Sequence, residues 1–492
     1  MEKAEQIDIT VGHLKRKVAR SALSVTGGNI VIQIISSAGG ILLARLLIPS
    51  MFGVFAIVNF VVTFLTIFGE MGLGAALIQR KEQLTREDLK TVFTMQQILS
   101  CTVIALIFLI SPKIVSWYAL DDTIRWLLIV LSFSIFLSSL RGVPSALLQR
   151  EMKFDRVVIC ETANVFFFQS VAIFLAYLGY GTWGFIWGVL AGSLVSTILF
   201  YILSPWKIGY GINRQIALRL IKFGIPYQAD GLLTLGKNAV VPVVVGKIVG
   251  ASGIGYFNWA LNFSALAMFF TGVIGRVTFP AFSRVQHDKD LLRKGIEKSI
   301  RIGAIFFFPF LAMSVAFARP TIHYLYTDKW LPALGTFYLL AISTVFTGPI
   351  GQTFFNAFYA TGKQYWALNM NILYLALNFA LAVPLVSASG LQGMAVTKII
   401  ISFSTLFILI YLLNRIVKVN LLGNILPFMF PSFFIGAIFY LYREVLAGSF
   451  PGFLFWGVSG GILCFVSMYL FNAASMKEDI KDVVNALSRD GK

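Results

Sequence analysis

Charged residues at membrane depth are the feature of this chain most able to do chemistry. Four bases lie inside apolar stretches long enough to cross a bilayer: Arg141, Lys237, Arg276 and Lys398. Three acids share that environment: Glu70, Glu161 and Asp230. Each such charge costs roughly 2.5–3.5 kcal/mol to insert, so it requires a partner, a wet cavity or a function. Because the bases outnumber the acids, pairing cannot neutralise them all, and the pattern indicates a cavity that binds an anion.

The composition is that of a membrane protein built only from helices. The 492 residues are 58% hydrophobic and 13% charged, whereas a soluble domain averages about 25% charged residues. Apolar runs of about 20 residues, each long enough for one transmembrane helix, recur along most of the chain. We predict about fourteen spans: 22–46, 51–78, 89–111, 126–148, 157–178, 183–204, 223–246, 254–282, 302–318, 332–360, 365–385, 391–413, 422–442 and 452–472.

The positions of the basic residues predict the orientation. With the N-terminus inside, the cytoplasmic segments hold 29 of the 40 Lys and Arg residues, and the external segments hold seven. This asymmetry obeys the positive-inside rule and places both termini in the cytoplasm. The net charge of +18 therefore reports orientation and contact with anionic lipid headgroups, and it does not indicate nucleic-acid binding.

The residue types used by metal sites and disulfides are few and scattered. The three cysteines fall in predicted spans without a recognisable spacing, and the three histidines form no cluster. The first apolar run is too long for a signal peptide and lacks a small-residue cleavage site. We predict no catalytic residue, no metal, no cofactor and no cleaved leader.

A weak internal repeat divides the chain. Arg45, Gly53 and Phe55 recur at an offset of 202 residues as a second set: Lys247, Gly255 and Phe257. Six spans per repeat is an even number, so the two repeats are parallel and related by an axis along the membrane normal. The predicted parts are an N-terminal segment (1–20), a first lobe (21–205), an inter-lobe loop (206–222), a second lobe (223–415), an extra helix pair (416–473) and an amphipathic tail (474–492).

Several short stretches together resemble the polysaccharide transporter family of the multidrug/oligosaccharidyl-lipid/polysaccharide exporter superfamily. The resemblance covers about residues 20–415 and is specific as an ensemble. Its stretches run from Ala44 to Phe55, from Gly72 to Arg80, from Leu148 to Phe154 and from Phe279 to Arg284, and they include Lys329-Trp330.

The resemblance implies a fold and a cargo. It implies two six-helix lobes around a central cavity, with two C-terminal helices beyond the twelve-helix version, which form either a lipid groove or a packing surface. It also implies export of an oligosaccharide linked to undecaprenyl pyrophosphate, moved from the inner to the outer leaflet of the bacterial cytoplasmic (inner) membrane. The polymer is an O-antigen, a capsule or another exopolysaccharide, and the expected partners are membrane lipids and polysaccharide polymerase or assembly proteins.

We assign the predicted charges to roles within that scheme. Lys237 and Arg276 are the first candidates for holding the pyrophosphate, because Lys supplies a compact charge and Arg a bidentate fork. Arg141 and Lys398 are further cationic candidates, although Lys398 is equally suited to reaching the outer headgroups. Arg45 and Lys247 occupy equivalent outer ends, as headgroup anchors or as a symmetric outer gate.

The acids are candidates for coupling or gating. Glu70 and Arg141 lie at equal predicted depth, so an ion pair between the second and fourth spans is expected, either structural or gating. Asp230 is seven residues before Lys237 on one helix face and lines the same wet surface. Glu161 lies five residues after Arg156, and a local pair between them is the simpler interpretation. The sequence leaves proton or sodium coupling through Asp230 or Glu70 open.

Two other functional classes compete with this one. A multidrug antiporter of the same superfamily would carry organic cations and would favour acids in its cavity, which is the opposite of the balance here. A membrane glycosyltransferase or polymerase would need a sizeable external loop and catalytic acids, whereas the only acidic pair in an external turn is Asp121-Asp122.

Overall fold

A computed structural model gives the structure of residues 2–80 and 82–489. Side chains are described from Ser24 to Asn472, with the exceptions of Lys81, Ile225, Tyr227, Ala229, Asp230, Phe270, Val273, Arg276 and Val277. The described residues form helices and connecting turns, with no strand among them. This agrees with the all-helical prediction, since a helix satisfies all its backbone hydrogen bonds internally within lipid.

The chain divides into two compact units, Met1–Gly255 and Tyr256–Lys492. The helices of the first unit are α1 Glu2–Leu46, α2 Pro49–Glu70, α3 Leu73–Gln79, α4 Arg86–Trp117, α5 Thr123–Arg150, α6 Phe154–Tyr177, α7 Thr182–Leu203, α8 Arg214–Val240 and α9 Gly246–Ile248. A π-helical turn, Val241–Val245, joins α8 to α9.

The next helix, α10 Ala251–Ala265, begins in the first unit and continues into the second. The remaining helices are α11 Phe269–Val285, α12 Lys289–Ala316, α13 Ala318–Thr321, α14 Ala333–Ala360, α15 Gln364–Asn414, α16 Leu421–Leu446 and α17 Phe450–Arg489. In the first unit α8 packs on α2, α3 and α4, although the sequence assigns it to the second lobe. The lobe boundary at 206–222 stays a prediction.

Twelve helices of the described residues are long and apolar enough to cross a membrane, so the predicted count of fourteen is not confirmed. The difference arises at two places. Helix α15 joins two predicted spans across a kink at Gly390, whose φ of 59° lies in the left-handed region. The predicted span 254–282 is divided between α10 and α11 by a 3₁₀ turn, Leu266–Met268, and neither part is long enough alone.

The outer surfaces of the long helices are apolar. Large hydrophobic side chains such as Leu441 and Phe471 are 75% and 78% exposed, and many others are exposed in every long helix. A soluble protein rarely exposes a continuous apolar surface of this kind. In a bilayer these side chains contact lipid tails, which agrees with a multi-pass membrane protein.

The core of the first unit lies between α2, α4, α5 and α7. Val58 of α2, Ile107 of α4, Leu128 of α5 and Ile186 of α7 are almost fully buried against one another. Helix α6 packs on α7 and on α1, which completes the wall of the unit.

Three glycines at four-residue spacing bring α7 into backbone contact with α6. A Cβ atom on Gly184, Gly188 or Gly192 would lie 3.1, 2.7 or 2.4 Å from a carbonyl oxygen of α6. Residues four apart share one helix face, so the three form a continuous groove that accepts the α6 backbone. Small residues at this spacing are the usual means of close helix packing within membranes.

We expect the double substitution Gly188→Ala/Gly192→Ala to lower the thermal unfolding temperature of the purified protein in detergent. The added methyl groups overpack the contact, which typically costs about 1–3 kcal/mol per site. Gly40→Ala is the matched control, because a Cβ there meets nothing within 4 Å. An equal shift of the unfolding temperature in both variants would contradict this account of the α6–α7 contact.

The second unit is organised around α12. Helices α11, α14, α16 and α17 all pack on it, and residues such as Ile296 and Phe308 are fully buried there. Gly436 of α16 approaches Ala312 so closely that a Cβ would lie 2.9 Å from the alanine side chain. The two extra C-terminal helices therefore pack against the second unit.

Two cytoplasmic segments of the predicted topology, residues 286–301 and the amphipathic tail, are continuous with longer helices. Residues 286–301 mostly belong to the first turns of α12, whose N-terminus is capped by the Asp288 carboxylate. The predicted tail helix is the continuation of α17 past a non-helical residue, Asn472.

Candidate functional site

An open cavity of about 670 Å³ lies within the first unit, lined by residues from α1 to α8. Its size is in the range of small-molecule binding sites. Glu70, Arg141 and Glu161 supply its charged side chains. Its polar lining consists of amides and hydroxyls: Asn29, Gln96, Ser100, Ser138, Ser139, Ser145, Gln149, Asn164 and Gln228.

Arg141 of α5 interacts electrostatically with Glu70 of α2 and Glu161 of α6. Its Nη1 atom donates a hydrogen bond to Ser196 Oγ on α7 at 3.1 Å. The Ser138 hydroxyl also interacts favourably with the Glu70 carboxylate. Among the ion pairs of the described residues, none joins Arg141 to either carboxylate by direct contact. The guanidinium therefore balances two carboxylates while remaining available to the cavity.

The end of α2 places Glu70 in the cavity. Met71 and Gly72 both have left-handed backbone angles, φ 42° and 64°, which terminate the helix at Glu70. Gly224 of α8 lies so close that a Cβ would be 1.9 Å from the Met71 carbonyl oxygen. Gln228 Nε2, one turn further along α8, donates to Ile67 O at 3.3 Å. The negative end of the α2 dipole is unfavourable for a carboxylate, so Ser138 and Arg141 have to stabilise Glu70.

One face of α5 supplies most of the hydrophilic side chains of the cavity. Ser138, Arg141, Ser145 and Gln149 follow one another at steps of three and four residues. This spacing is that of a single helix face, and it is readable in the sequence. The prediction selected Arg141 by its charge and missed the others on that face.

Gln96 of α4 presents an unsatisfied polar atom at the cavity wall. Its side chain is only 4% exposed, and its Oε1 atom has no hydrogen-bond partner among the described residues. Leaving a buried acceptor unpaired costs about 1–3 kcal/mol. The facing residue, Gly142, leaves just enough room, because a Cβ there would lie 2.5 Å from that oxygen. A donor or a water molecule in the cavity would satisfy it.

Arg150, at the end of α5, holds the wall of the cavity formed by α3. Its Nη1 atom donates to Leu77 O at 2.9 Å and to Arg80 O at 2.6 Å, and its Nη2 atom donates to Glu82 O at 2.5 Å. These carbonyls belong to the end of α3 and the turn after it. One guanidinium therefore fixes a short helix that could not be stable alone.

Arg80 forms a second tie at the same turn. Its guanidinium pairs with Glu82 and with Asp88, the residue that closes the capping box of α4 with Thr85. Hydrogen bonds to the Glu82 and Asp88 carboxylates raise the pKa of Arg80 above its usual value. Arg80 and Arg150, two residues of the stretches that carry the resemblance, are thus structural residues at the predicted cytoplasmic end.

Three of the seven charged residues predicted at membrane depth line the cavity of the first unit. Glu70, Arg141 and Glu161 share the cavity, as the equal depth of Glu70 and Arg141 indicated. Glu161 does not pair with Arg156, whose Nη1 donates to Leu203 O at 2.9 Å. Five residues of helix turn through about 500°, so the two side chains point to different faces.

Lys398 lies in the second unit with neutral partners. Its Nζ atom donates to Tyr374 Oη at 3.2 Å and to Asn378 Oδ1 at 3.0 Å. The ammonium also lies 5.1 Å from the centroid of the Tyr374 ring. In the described part of the chain, no carboxylate forms an ion pair with it.

The structure shows which helices carry three further predicted residues: Lys237, Asp230 and Arg276. Helix α8 carries Asp230 and Lys237 in one continuous run, as their predicted common face requires, and Lys237 is half-buried. Arg276 lies on α11. The side chains of Asp230 and Arg276 lie outside the described residues. The cationic excess predicted for the cargo site is absent from the described cavity, so that prediction now depends on Lys237, Arg276 and Lys398.

The two outer-end candidates have different surroundings. Lys247 of α9 donates from Nζ to Trp117 O at 2.6 Å, and its ammonium lies 5.0 Å from the Trp117 ring centroid. It therefore caps the C-terminal end of α4, where a positive charge is favourable. Arg45 is exposed in the last turn of α1.

Membrane-length helices around a charged, hydrophilic cavity define a multi-pass membrane transporter. Solved structures of transporters share this fold. The lipid II flippase MurJ in an inward closed conformation superposes with a TM-score of 0.76 at 16% identity, covering 94% of this chain and 100% of that one. An inward-facing multidrug resistance MATE transporter gives a TM-score of 0.61 at 18% identity, covering 78% and 95%. At these identities the likeness shows the fold alone.

The sequence profile of the family described as "Polysaccharide biosynthesis protein" matches residues 42–334, and the chain belongs to that family. An uncharacterized membrane protein of the cps region of Klebsiella pneumoniae is 24% identical over 434 residues, 86% of each chain. The succinoglycan biosynthesis transport protein ExoT of Rhizobium meliloti (strain 1021) is 25% identical over 305 residues, 61% of each chain. The family expected from the sequence resemblance is thus confirmed.

Proposed function

We propose that this protein is a flippase that moves an undecaprenyl-pyrophosphate-linked oligosaccharide across the membrane by alternating access. The observation that carries the proposal is the family match over residues 42–334 on a fold shared with a lipid II flippase. The hydrophilic cavity supports it, because amides and hydroxyls are the groups that bind sugar hydroxyls. ExoT, a relative named as a transport protein of succinoglycan biosynthesis, supports the same pathway class.

The cargo headgroup needs cationic partners at membrane depth. We assign the pyrophosphate to Lys237, Arg276 and Lys398, with Arg141 as a further partner. Lys398 supports this assignment, because its described hydrogen-bond partners are neutral and leave its charge to attract an anion. An inside-negative potential assists the outward movement of negative charge by about 2.3 kcal/mol per charge per 100 mV.

Glu70, Arg141 and Glu161 supply a means of coupling or gating. The cavity holds one guanidinium between two carboxylates, so one added proton or sodium ion makes the three groups neutral as a set. Neutralising either glutamate frees Arg141 to interact with a phosphate. Asp230, on α8, is the remaining acidic candidate for the same role.

The orientation follows from the positive-inside asymmetry of the sequence. We place both termini in the cytoplasm and the protein in the bacterial cytoplasmic membrane. Its partners are then the lipid-linked oligosaccharide, membrane lipids and the polymerase or assembly proteins that receive the exported unit.

Reconstituted vesicles test the cargo directly. Fluorescently labelled undecaprenyl-pyrophosphate oligosaccharide is placed in one leaflet, and its appearance in the other is measured by quenching or enzymatic access. We expect the protein to accelerate the crossing above protein-free vesicles and to accept the lipid-linked pyrophosphate in preference to the free oligosaccharide. No acceleration with several lipid-linked oligosaccharides would reject the proposal.

A cation antiporter is the second candidate, and one observation favours it. The described cavity contains two carboxylates and one guanidinium, a balance that suits an organic cation. The same vesicles, loaded with a fluorescent lipophilic cation under a proton or sodium gradient, separate the two functions. Gradient-driven movement of the dye without movement of the lipid would establish the antiporter.

A further inference from the structure

The internal repeat of the sequence is realised as a reciprocal contact at the start of two helices. A Cβ on Gly53 of α2 would lie 1.7 Å from the carbonyl oxygen of Ala251, the first residue of α10. A Cβ on Gly255 of α10 would lie 2.0 Å from the carbonyl oxygen of Pro49, the first residue of α2. Gly53 and Gly255 are 202 residues apart, and so are Pro49 and Ala251. Each helix therefore presents the same glycine to the same position of the other.

At both glycines the three nearest atoms of the facing helix belong to its backbone or Cα. Since a carbon–carbon bond measures about 1.5 Å, each glycine Cα lies within roughly 3.5 Å of the facing oxygen. That is the range of weak Cα–H···O hydrogen bonds between close helices. Without interlocking side chains, such a contact can separate and re-form with little rearrangement. At these two positions no other atom separates the two backbones.

The surrounding residues fasten both helices near this crossing. Phe55, two residues after Gly53, stacks on Phe185 with 4.6 Å between ring centroids. Lys247, just before α10, is tied to the Trp117 carbonyl at the end of α4. These contacts hold the chain on both sides of the crossing, and at the two glycines themselves the nearest atoms are backbone atoms.

We propose that Gly53 and Gly255 form the outer seal of the transport path, which breaks when the carrier opens outward. The proposal depends on the proposed transport function and on the orientation that places the start of α2 outside. The short outer turns then act as two equivalent arms, and the basic residues Arg45 and Lys247 each precede their glycine by eight residues. An alanine at either glycine forces the arms apart and favours the open state.

A buried reporter cysteine tests the seal. Ile57 lies one turn beyond Gly53 on the same face of α2 and is 1% exposed. Ile57→Cys is made together with Cys101→Ser, because Cys101 is the exposed cysteine, while Cys160 and Cys464 are buried. Labelling of intact cells by a membrane-impermeant maleimide is then followed over time, with Gly53 and Gly255 present or replaced.

We expect Gly53→Ala or Gly255→Ala to accelerate labelling roughly tenfold, since a state populated at about 10% or less becomes the principal one. Gly40→Ala, where a Cβ meets nothing within 4 Å, should leave the rate unchanged. Lys247→Ala removes the neighbouring tie without adding atoms, and it should also accelerate labelling. If the glycine variants do not accumulate in the membrane, the labelling rate of Lys247→Ala alone tests the proposed seal.

Two outcomes overturn the proposal: unchanged labelling in all the variants that fold, or acceleration only from the cytoplasmic side in inverted vesicles. The assay does not require any cargo to move. Accelerated labelling by a protein that fails to flip the lipid-linked oligosaccharide would therefore reject the cargo and support the seal.

Discussion

We expect export to be lost when Lys237 and Arg276 are both replaced by alanine, while the amount of protein in the membrane stays normal. The physical reason is the pyrophosphate, which loses its hydration on entering the protein and needs cationic groups in exchange. Buried bases that only stabilised the fold would, by contrast, change the amount or the unfolding temperature. The measurement is surface polymer in a strain lacking its own flippase, together with quantification of the protein by immunoblot.

A matched control separates position from net charge. Lys207→Ala/Arg214→Ala removes the same two charges from exposed positions outside the predicted spans. We expect this variant to export at the normal level. Normal export by Lys237→Ala/Arg276→Ala would reject the assignment of the pyrophosphate to those residues, and accumulation of lipid-linked oligosaccharide inside the cell would support it.

The second large effect is expected at Arg141. Arg141→Ala leaves Glu70 and Glu161 in the cavity without their shared counter-charge and removes the hydrogen bond to Ser196. Breaking a dry buried pair costs about 3–5 kcal/mol, and the loss here is smaller because both carboxylates face an open cavity. We expect export to fall by at least tenfold and the unfolding temperature in detergent to drop.

Charge-neutral replacement distinguishes the two effects of this substitution. The triple variant Glu70→Gln/Arg141→Gln/Glu161→Gln has no unpaired charge, so its unfolding temperature should recover while export stays low. Arg141→Lys keeps the charge without the guanidinium fork and should retain part of the export. If Arg141→Ala exports normally, or if the triple variant restores export, the three groups have no role in transport.

The sequence was most informative where depth and charge alone decided the outcome. Counting residues to the nearest polar boundary puts Glu70 and Arg141 at one level, and both line one cavity in the structure. Helix spans were predictable for the same reason, because lipid imposes both length and apolar composition. The family was readable from a few turn sequences that the structure shows to be constrained, such as the Arg150 contacts to three carbonyls.

The sequence was least informative where side-chain direction or helix continuity decided the outcome. Glu161 was assigned to its neighbour Arg156 by proximity along the chain, although the helix turns them apart. Ser196 was not recognised as a partner of Arg141, because a serine in an apolar helix is usually satisfied by its own backbone. Gly390 permits a kink within one long helix, and composition alone cannot distinguish that kink from a loop.

The glycine groove of α7 has a mechanical consequence for the Arg141 guanidinium. Helices in backbone contact along three successive turns cannot slide past each other without losing that contact. Helices α6 and α7 therefore move as one rigid unit. Glu161 lies on α6 and Ser196 lies on α7, and both interact with Arg141. A displacement of either helix therefore moves the Glu161 carboxylate and the Ser196 hydroxyl by the same amount. These two partners of the Arg141 guanidinium move as one rigid unit.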